Sequence, residues 1–267
     1  MTIRYSLVAT DLDGTLLRSD CTVGGRTRAA LARAATRGAR HVVVTGRSVT
    51  WTRPLLDELG YTGLAVCGQG GQVYDAAAHR ELTSYPLDLG VARRALDAIE
   101  AVTGPLWLAA DRDGVDGAVL TGPGYRHDPV GGLPVVPSDA EALWARPVRK
   151  FYVQHPELDE DRLHEVASRL AGHLVTTTKA GPGEIEILPL GLSKATGLAQ
   201  VAGLLGVSAA ETIAFGDMPN DAPMLAWAGH GVAMGNAHPE LKAIADEVAP
   251  GNDDDGVAVV LDQIFTA

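Results

Sequence analysis

The chain has 267 residues, 46% hydrophobic and 21% charged, which is enough for one large α/β unit or two modest ones and carries no disordered or fibrous bias. Twenty-two Lys and Arg against 33 Asp and Glu give a formal charge of −11, which argues against nucleic-acid or membrane-surface binding through basic patches. Two cysteines, Cys21 and Cys67, without CxxC spacing, point to neither a disulfide framework nor a structural zinc site. With no secretory leader pattern and no apolar run of membrane-spanning length, a cytoplasmic location is expected.

Strand and helix periods alternate at the start. Tyr5 to Thr10 reads as a buried strand, residues 26–37 as a helix stopped by Gly38, and His41 to Thr45 as a second strand. A helix toward Leu59 follows, then a strand at Leu64 to Cys67, a glycine-rich turn and Gln72 to Asp75. The middle of the chain reads differently: a helix at Asp88 to Val102, strands at Leu106 to Ala110 and Val115 to Leu120, and a strand at Arg149 to Gln154. A helix at Glu157 to Ala171 follows, then two strands flanking Gly181-Pro182-Gly183. After Pro189 the alternation returns. A helix spans Ser193 to Leu205, a strand Thr212 to Phe215, a helix opens at Pro219, and Gly231 to Met234, a helix at Leu241 to Ala245 and a last helix capped by Asp255 complete the chain. The expected fold is α/β: a Rossmann-like parallel-sheet core, residues 1–80 plus 190–267, with an inserted α+β cap domain over 81–189.

Four polar segments end apolar strands or open helices, where parallel sheets hold ligands. Asp11-Leu12-Asp13-Gly14-Thr15 offers two carboxylates that point the same way if extended geometry persists, one to attack phosphorus and one to move a proton. Thr45-Gly46-Arg47 offers a hydroxyl, a close-approach glycine and a guanidinium suited to phosphate. Lys194 sits at the start of a helix, and Asp217, Asn220 and Asp221 form an all-oxygen set suited to magnesium. Taken singly, each has an ordinary reading as a helix cap or a solvated acidic turn. Together they supply a nucleophile, an acid/base, a cation site and phosphate donors at one sheet edge.

In these four segments, in order, the chain resembles the haloacid dehalogenase superfamily, and its long insertion resembles the type IIB cap of the Cof-type phosphatases. Ala233 to Ala237 and Asn252 to Ala258 extend the resemblance. It implies a Mg2+-dependent phosphatase of small phosphorylated metabolites. Asp11 would form an aspartyl-phosphate, and Asp13 would protonate the leaving oxygen and then activate water. It further implies a metal site of Asp11, the Asp13 carbonyl and Asp217, with Asp221 as a further ligand or its anchor, and phosphate contacts from Thr45, Gly46, Arg47, Lys194 and Asn220. A phosphomannomutase-like mutase and a non-catalytic phospholigand sensor are the alternatives. Gln69 stands where relatives often carry asparagine, so a contact expected from that side chain is open.

Other patterns fail on spacing. Gly68-Gln69-Gly70-Gly71 lacks the last glycine of a dinucleotide loop, Val73 standing there. Asp111, Asp113 and Asp116 resemble a calcium loop with Val115 at a ligand position. Arg126, His127 and Asp128, and the turn Lys179 to Gly183, read as exposed cap turns, and the four tryptophans as packing residues.

Overall fold

The computed structural model describes residues 5–112, 114, 117–126 and 135–265, so Asp113, Val115, Asp116, His127 and Asp128 lie outside the described residues. β1 (Leu7–Thr10) is buried along its whole length, as expected of a strand in a sheet covered on both faces. α1 (Gly25–Thr36) buries Ala30 and Ala34 on one stripe and is followed by β2 (Arg40–Val44), α2 (Val49–Glu58) and β3 (Leu64–Cys67). β4 (Gln72–Asp75) and β5 (Arg80–Ser84) close this first stretch.

Next come α3 (Leu89–Thr103), β6 (Trp107–Arg112), β7 (Val119–Thr121), β8 (Val135–Pro137), β9 (Val148–Gln154), α4 (Glu160–Ala171), β10 (Val175–Gly181) and β11 (Glu184–Pro189). The chain then returns to βα alternation with α5 (Lys194–Leu205), β12 (Thr212–Gly216), α6 (Ala222–Trp227), β13 (His230–Ala233), α7 (Pro239–Lys242), β14 (Glu247–Val248) and α8 (Gly256–Phe265).

Two compact units result. One takes its described residues from Met1–Arg47, Leu55–Leu82 and Ser193–Ala267, the other from Ser48–Pro54 and Thr83–Leu192. An eight-stranded sheet runs in the order β14-β13-β12-β1-β2-β3-β4-β5. It is parallel from β14 to β3, and β4 turns back antiparallel against β3. Thr10 lies level with Phe215 on β12 and with Val43 on β2, so the carboxyl ends of these three strands share one edge. Leu7, Val8, Ile213 and Phe215 form the centre of its core together with Val201 of α5 and Leu261 of α8.

The second unit carries a six-stranded sheet in the order β10-β11-β9-β6-β7-β8. Antiparallel pairing holds from β10 to β7, and β8 is parallel to β7. Alternation sorts its side chains: Phe151, Val153, Ile185 and Ile187 pack beneath Ala95, Ile99, Leu163 and Ala167 of α3 and α4. Burying Phe151 completely contributes roughly 2–3 kcal/mol. The opposite face carries Ala109, Val119 and Tyr152, with Trp51 stacked on Tyr152 at 6.2 Å between ring centroids. Residues 48–54, which the sequence places in the core, group with this unit.

Several boundaries differ from the sequence reading for local reasons. α4 starts at Glu160, not Glu157, because the Asp159 carboxylate accepts from the Arg162 amide at 2.8 Å and so fixes the cap there. α7 starts early, at Pro239, with the His238 ring accepting from the Glu240 amide, and ends at Lys242. Asp255 does not cap α8 through its carboxylate, which is held by Arg18 Nη2 at 2.7 Å and Thr27 Oγ1 at 3.0 Å. Its backbone, at φ 56°, turns the chain into α8. β5, β8 and β14 were not expected: the first has no fully buried residue, and the other two have three and two residues, too short to show a period. Among the described residues no helix is long and apolar enough to cross a membrane.

Candidate active site

β1 ends by delivering Asp11 to the shared sheet edge, its amide donating to the Phe215 carbonyl on β12 at 2.9 Å. The next residues leave extended geometry. Leu12 turns inward and is fully buried, and Gly14 adopts φ 71°. A Cβ on Gly14 would lie 2.3 Å from Asp217 Oδ2, so both the turn and the approach require glycine. The two aspartates differ in exposure: Asp11 is buried at 5% exposure, whereas the Asp13 side chain is 51% exposed.

Asp11 meets Lys194 and the β12 turn. Lys194 Nζ donates to Asp11 Oδ1 at 2.6 Å and to Asp221 Oδ1 at 2.7 Å. Lys194 is the first residue of α5, where the Ser193 side chain accepts from the Thr196 amide and Thr196 Oγ1 accepts from the Ser193 amide. That reciprocal cap fixes the helix start, and Lys194 is 2% exposed, so it is not the solvated first-turn residue of the ordinary reading. Asp221 uses its second oxygen to accept from the Asp217 and Met218 amides, both at 3.0 Å, which braces the turn. Thr15 Oγ1 donates to Asp217 Oδ1 at 3.0 Å.

Carboxylate oxygens of Asp11, Asp217 and Asp221 all lie within 4.8 Å of one another, and all three residues are buried. One ammonium faces three carboxylates. Burial, followed by the neighbouring Asp221, pushes Asp217 up to about 6, against a lowering by Lys194. Asp11 is also held well above the usual carboxylate range by burial, with Lys194 opposing and the other aspartates adding to the rise. Burial alone would lower the Lys194 ammonium, but Asp11 and Asp221 outweigh it and hold it above its ordinary value, so Lys194 stays charged. A buried, surplus-acid, all-oxygen set fits a hard divalent cation.

The remaining expected residues lie around this cluster. Thr45 is buried, and its hydroxyl accepts from the Arg47 amide at 3.1 Å. Arg47 donates through Nε to Asp13 Oδ2 at 2.8 Å and through Nη2 to Asp13 Oδ1 at 2.5 Å, a bidentate pair. Gly46 packs beneath the Gln69 carboxamide, and Asn220 Nδ2 donates to Gln69 Oε1 at 3.3 Å. Asn236 was not singled out in the sequence: its Nδ2 donates to the Gly14 carbonyl at 2.8 Å and fixes the turn after Asp13. It follows the end of β13, so the strand-end rule that located the other segments also covered it. Arg18, Ser19 and Leu17 are tied to Asp255, Asp253 and Asn252, which gives the acidic stretch near α8 a bracing role.

The family model of haloacid dehalogenase-like hydrolases matches residues 8–261. An HMP-PP phosphatase of Serratia proteamaculans (strain 568) is 30% identical over 245 residues, covering 91% of this chain and 89% of its own. The 5-amino-6-(5-phospho-D-ribitylamino)uracil phosphatase YitU of Bacillus subtilis (strain 168) is 30% identical over 272 residues, covering 97% of each. A crystal structure of a haloacid dehalogenase-like hydrolase from Bacteroides thetaiotaomicron superposes with a TM-score of 0.77 at 28% identity, covering 98% of this chain and 100% of that one.

Proposed function

Because the chain belongs to the haloacid dehalogenase-like hydrolases and is a phosphatase of that family, we propose that it hydrolyses small phosphorylated metabolites through an aspartyl-phosphate on Asp11. The observation that carries this reading is the buried Asp11, Lys194, Asp217 and Asp221 cluster at the carboxyl ends of β1 and β12. An Asp11 carboxylate oxygen attacks phosphorus as the ester P–O bond breaks, and the leaving oxygen takes a proton from the Asp13 carboxyl. Water then attacks phosphorus, Asp13 accepts its proton, and the Asp11 carboxylate is regenerated with release of inorganic phosphate.

Lys194, held against Asp11, is placed to neutralise charge on the transferring oxygens, with the Thr45 hydroxyl and the Asn220 amide as further donors. Asp11, the Asp13 carbonyl and Asp217 would hold Mg2+, with Asp221 anchoring Asp217 through its backbone bonds. When bound, that ion supplies positive charge to the phosphoryl group. Both Asp13 oxygens accept from Arg47, which orients the carboxyl group, and each keeps a further lone pair for the proton it would carry. Substrate selection is assigned to the second unit, in the role of a cap, and the site of action to the cytoplasm.

The test is phosphate release from a panel of phosphorylated metabolites, with Mg2+ and with excess chelator, and with Asp11→Asn as the control. The two relatives' named substrates, sugar phosphates and pyridoxal phosphate make up the panel. Metal-dependent release that disappears in the variant is the expected result. No release from any member, with phosphoryl transfer appearing only when a sugar bisphosphate is added, would replace hydrolysis with a mutase reaction.

A further inference from the structure

The glycine-rich turn after β3 carries one long polar side chain, Gln69, which is unusual in two respects. It is 2% exposed, its backbone lies at φ 58°, and glutamine has no special tolerance for that left-handed region. Its carboxamide joins two segments more than 150 residues apart in sequence: Nε2 would lie 2.6 Å from a Cβ placed on Gly46, and Oε1 accepts from Asn220 Nδ2 at 3.3 Å. Its amide donates to the Thr45 carbonyl at 3.2 Å. One residue therefore touches the Thr45-Gly46 turn through backbone and side chain and the Asn220 turn through its amide.

The bond to Asn220 has a directional consequence. Gln69 Oε1 can only accept, so it requires Asn220 to present its NH2 on that side, and Asn220 Oδ1 is left buried without a protein partner among the described residues. An unmatched buried acceptor is a cost, and strained backbone at Gln69 is a second. Costs of this kind persist where surrounding structure fixes a geometry that function uses.

We propose that Gln69 is a positioning residue for phosphoryl transfer: it fixes the rotamer of the Asn220 carboxamide and seats it against the Thr45-Gly46 turn. The proposal rests on the phosphatase reading above. Gln69 would act through Asn220 and make no contact with the reacting atoms.

The experiment is a double-mutant cycle between Gln69→Met and Asn220→Ala, read as kcat/KM for p-nitrophenyl phosphate with Mg2+. Methionine keeps the length and volume of glutamine and removes the hydrogen bond. The expected loss for Gln69→Met is about tenfold, carried by kcat, in the otherwise unchanged chain, and less than about twofold once Asn220 is alanine. Gln69→Asn, which suits left-handed backbone but is one methylene short of both partners, should show the same loss with an unchanged or higher Tm. Equal losses in both Asn220 backgrounds, or full activity in Gln69→Met, would overturn the proposal. The unsubstituted chain separates the two readings. If it releases no phosphate, the phosphatase reading fails, and the cycle is read instead on the rise in Tm given by orthophosphate. Absence of coupling there, or no rise at all, overturns the positioning role as well.

Discussion

The two units each bury a cluster of charged side chains, and the clusters are balanced differently. In the first, Lys194 alone faces Asp11, Asp217 and Asp221. In the second, among the described residues, two cations face three acids: Arg149 Nη2 lies 3.3 Å from Asp111, Lys150 pairs with Glu186 and sits 4.4 Å from the centre of the Tyr152 ring, and Glu184 accepts from Tyr125 and from Gln154. Burial pushes the surplus acid of the second cluster, Glu184, up to about 7, which favours its protonated form. The first carries a surplus of two, packed within 4.8 Å, which is the charge a divalent cation carries. A buried surplus of acid whose oxygens converge is the arrangement that suits a divalent cation.

The largest effect expected from breaking this contrast is in Asp11→Asn. Phosphate release should fall by about 10⁴-fold or more, while circular dichroism and cooperative unfolding remain those of a folded chain. Near-normal turnover would remove Asp11 as the nucleophile. Next are Lys194→Met and Lys150→Met, each of which strips the cation from a buried carboxylate and should cost about 3–5 kcal/mol in denaturant unfolding. Mg2+ should raise the Tm of the Lys194 variant more than that of the unsubstituted chain. For the Lys150 variant it should raise Tm by no more than in the unsubstituted chain. Equal rescue of both would mean that the first cluster is not the metal site.

The pH dependence of the second cluster has a definite sign. The folded state holds Glu184 at about 7, above its ordinary 4.5, so it favours the protonated form; that advantage is complete below 4.5 and is lost as pH rises through 7. Glu184→Gln should remove this slope and leave the protein about 3 kcal/mol more stable than the parent at pH 8, measured by urea unfolding at several pH values. A slope unchanged by the substitution would place the titration elsewhere. The smallest effect is expected from Tyr125→Phe, which removes the hydroxyl donor to Glu184 and should cost about 1 kcal/mol at pH 5.

Much of the fold was legible because its signals are local. β3 and β4 fall where apolar runs ended by glycine or aspartate place them, and α3 starts where Asp88 caps the Val91 amide. The site segments were legible for a related reason: each polar group directly follows an apolar strand or opens a helix, so one rule about strand ends located Asp11, Thr45, Lys194 and Asp217 together. Less legible was the geometry inside those segments. Spacing gave no sign that the turn at Leu12 and Gly14 buries Asp11 and leaves Asp13 exposed. The pairing of the Arg47 guanidinium with both Asp13 carboxylate oxygens could not be read from either segment alone.

The sequence by itself determined the alternation of strands and helices, the interruption by a differently patterned middle segment, and the residue types available at each strand end. These follow from periodicity and from capping chemistry, which act over a few residues. Only the tertiary structure decided which groups share a charge environment. Lys194 reaches Asp11 across 183 positions and Asn220 reaches Gln69 across 151. Residues 48–54 join the second unit through Trp51 on Tyr152. Burial, charge balance and the orientation of an amide depend on neighbours brought together by sheet order and register, and no window along the chain contains them.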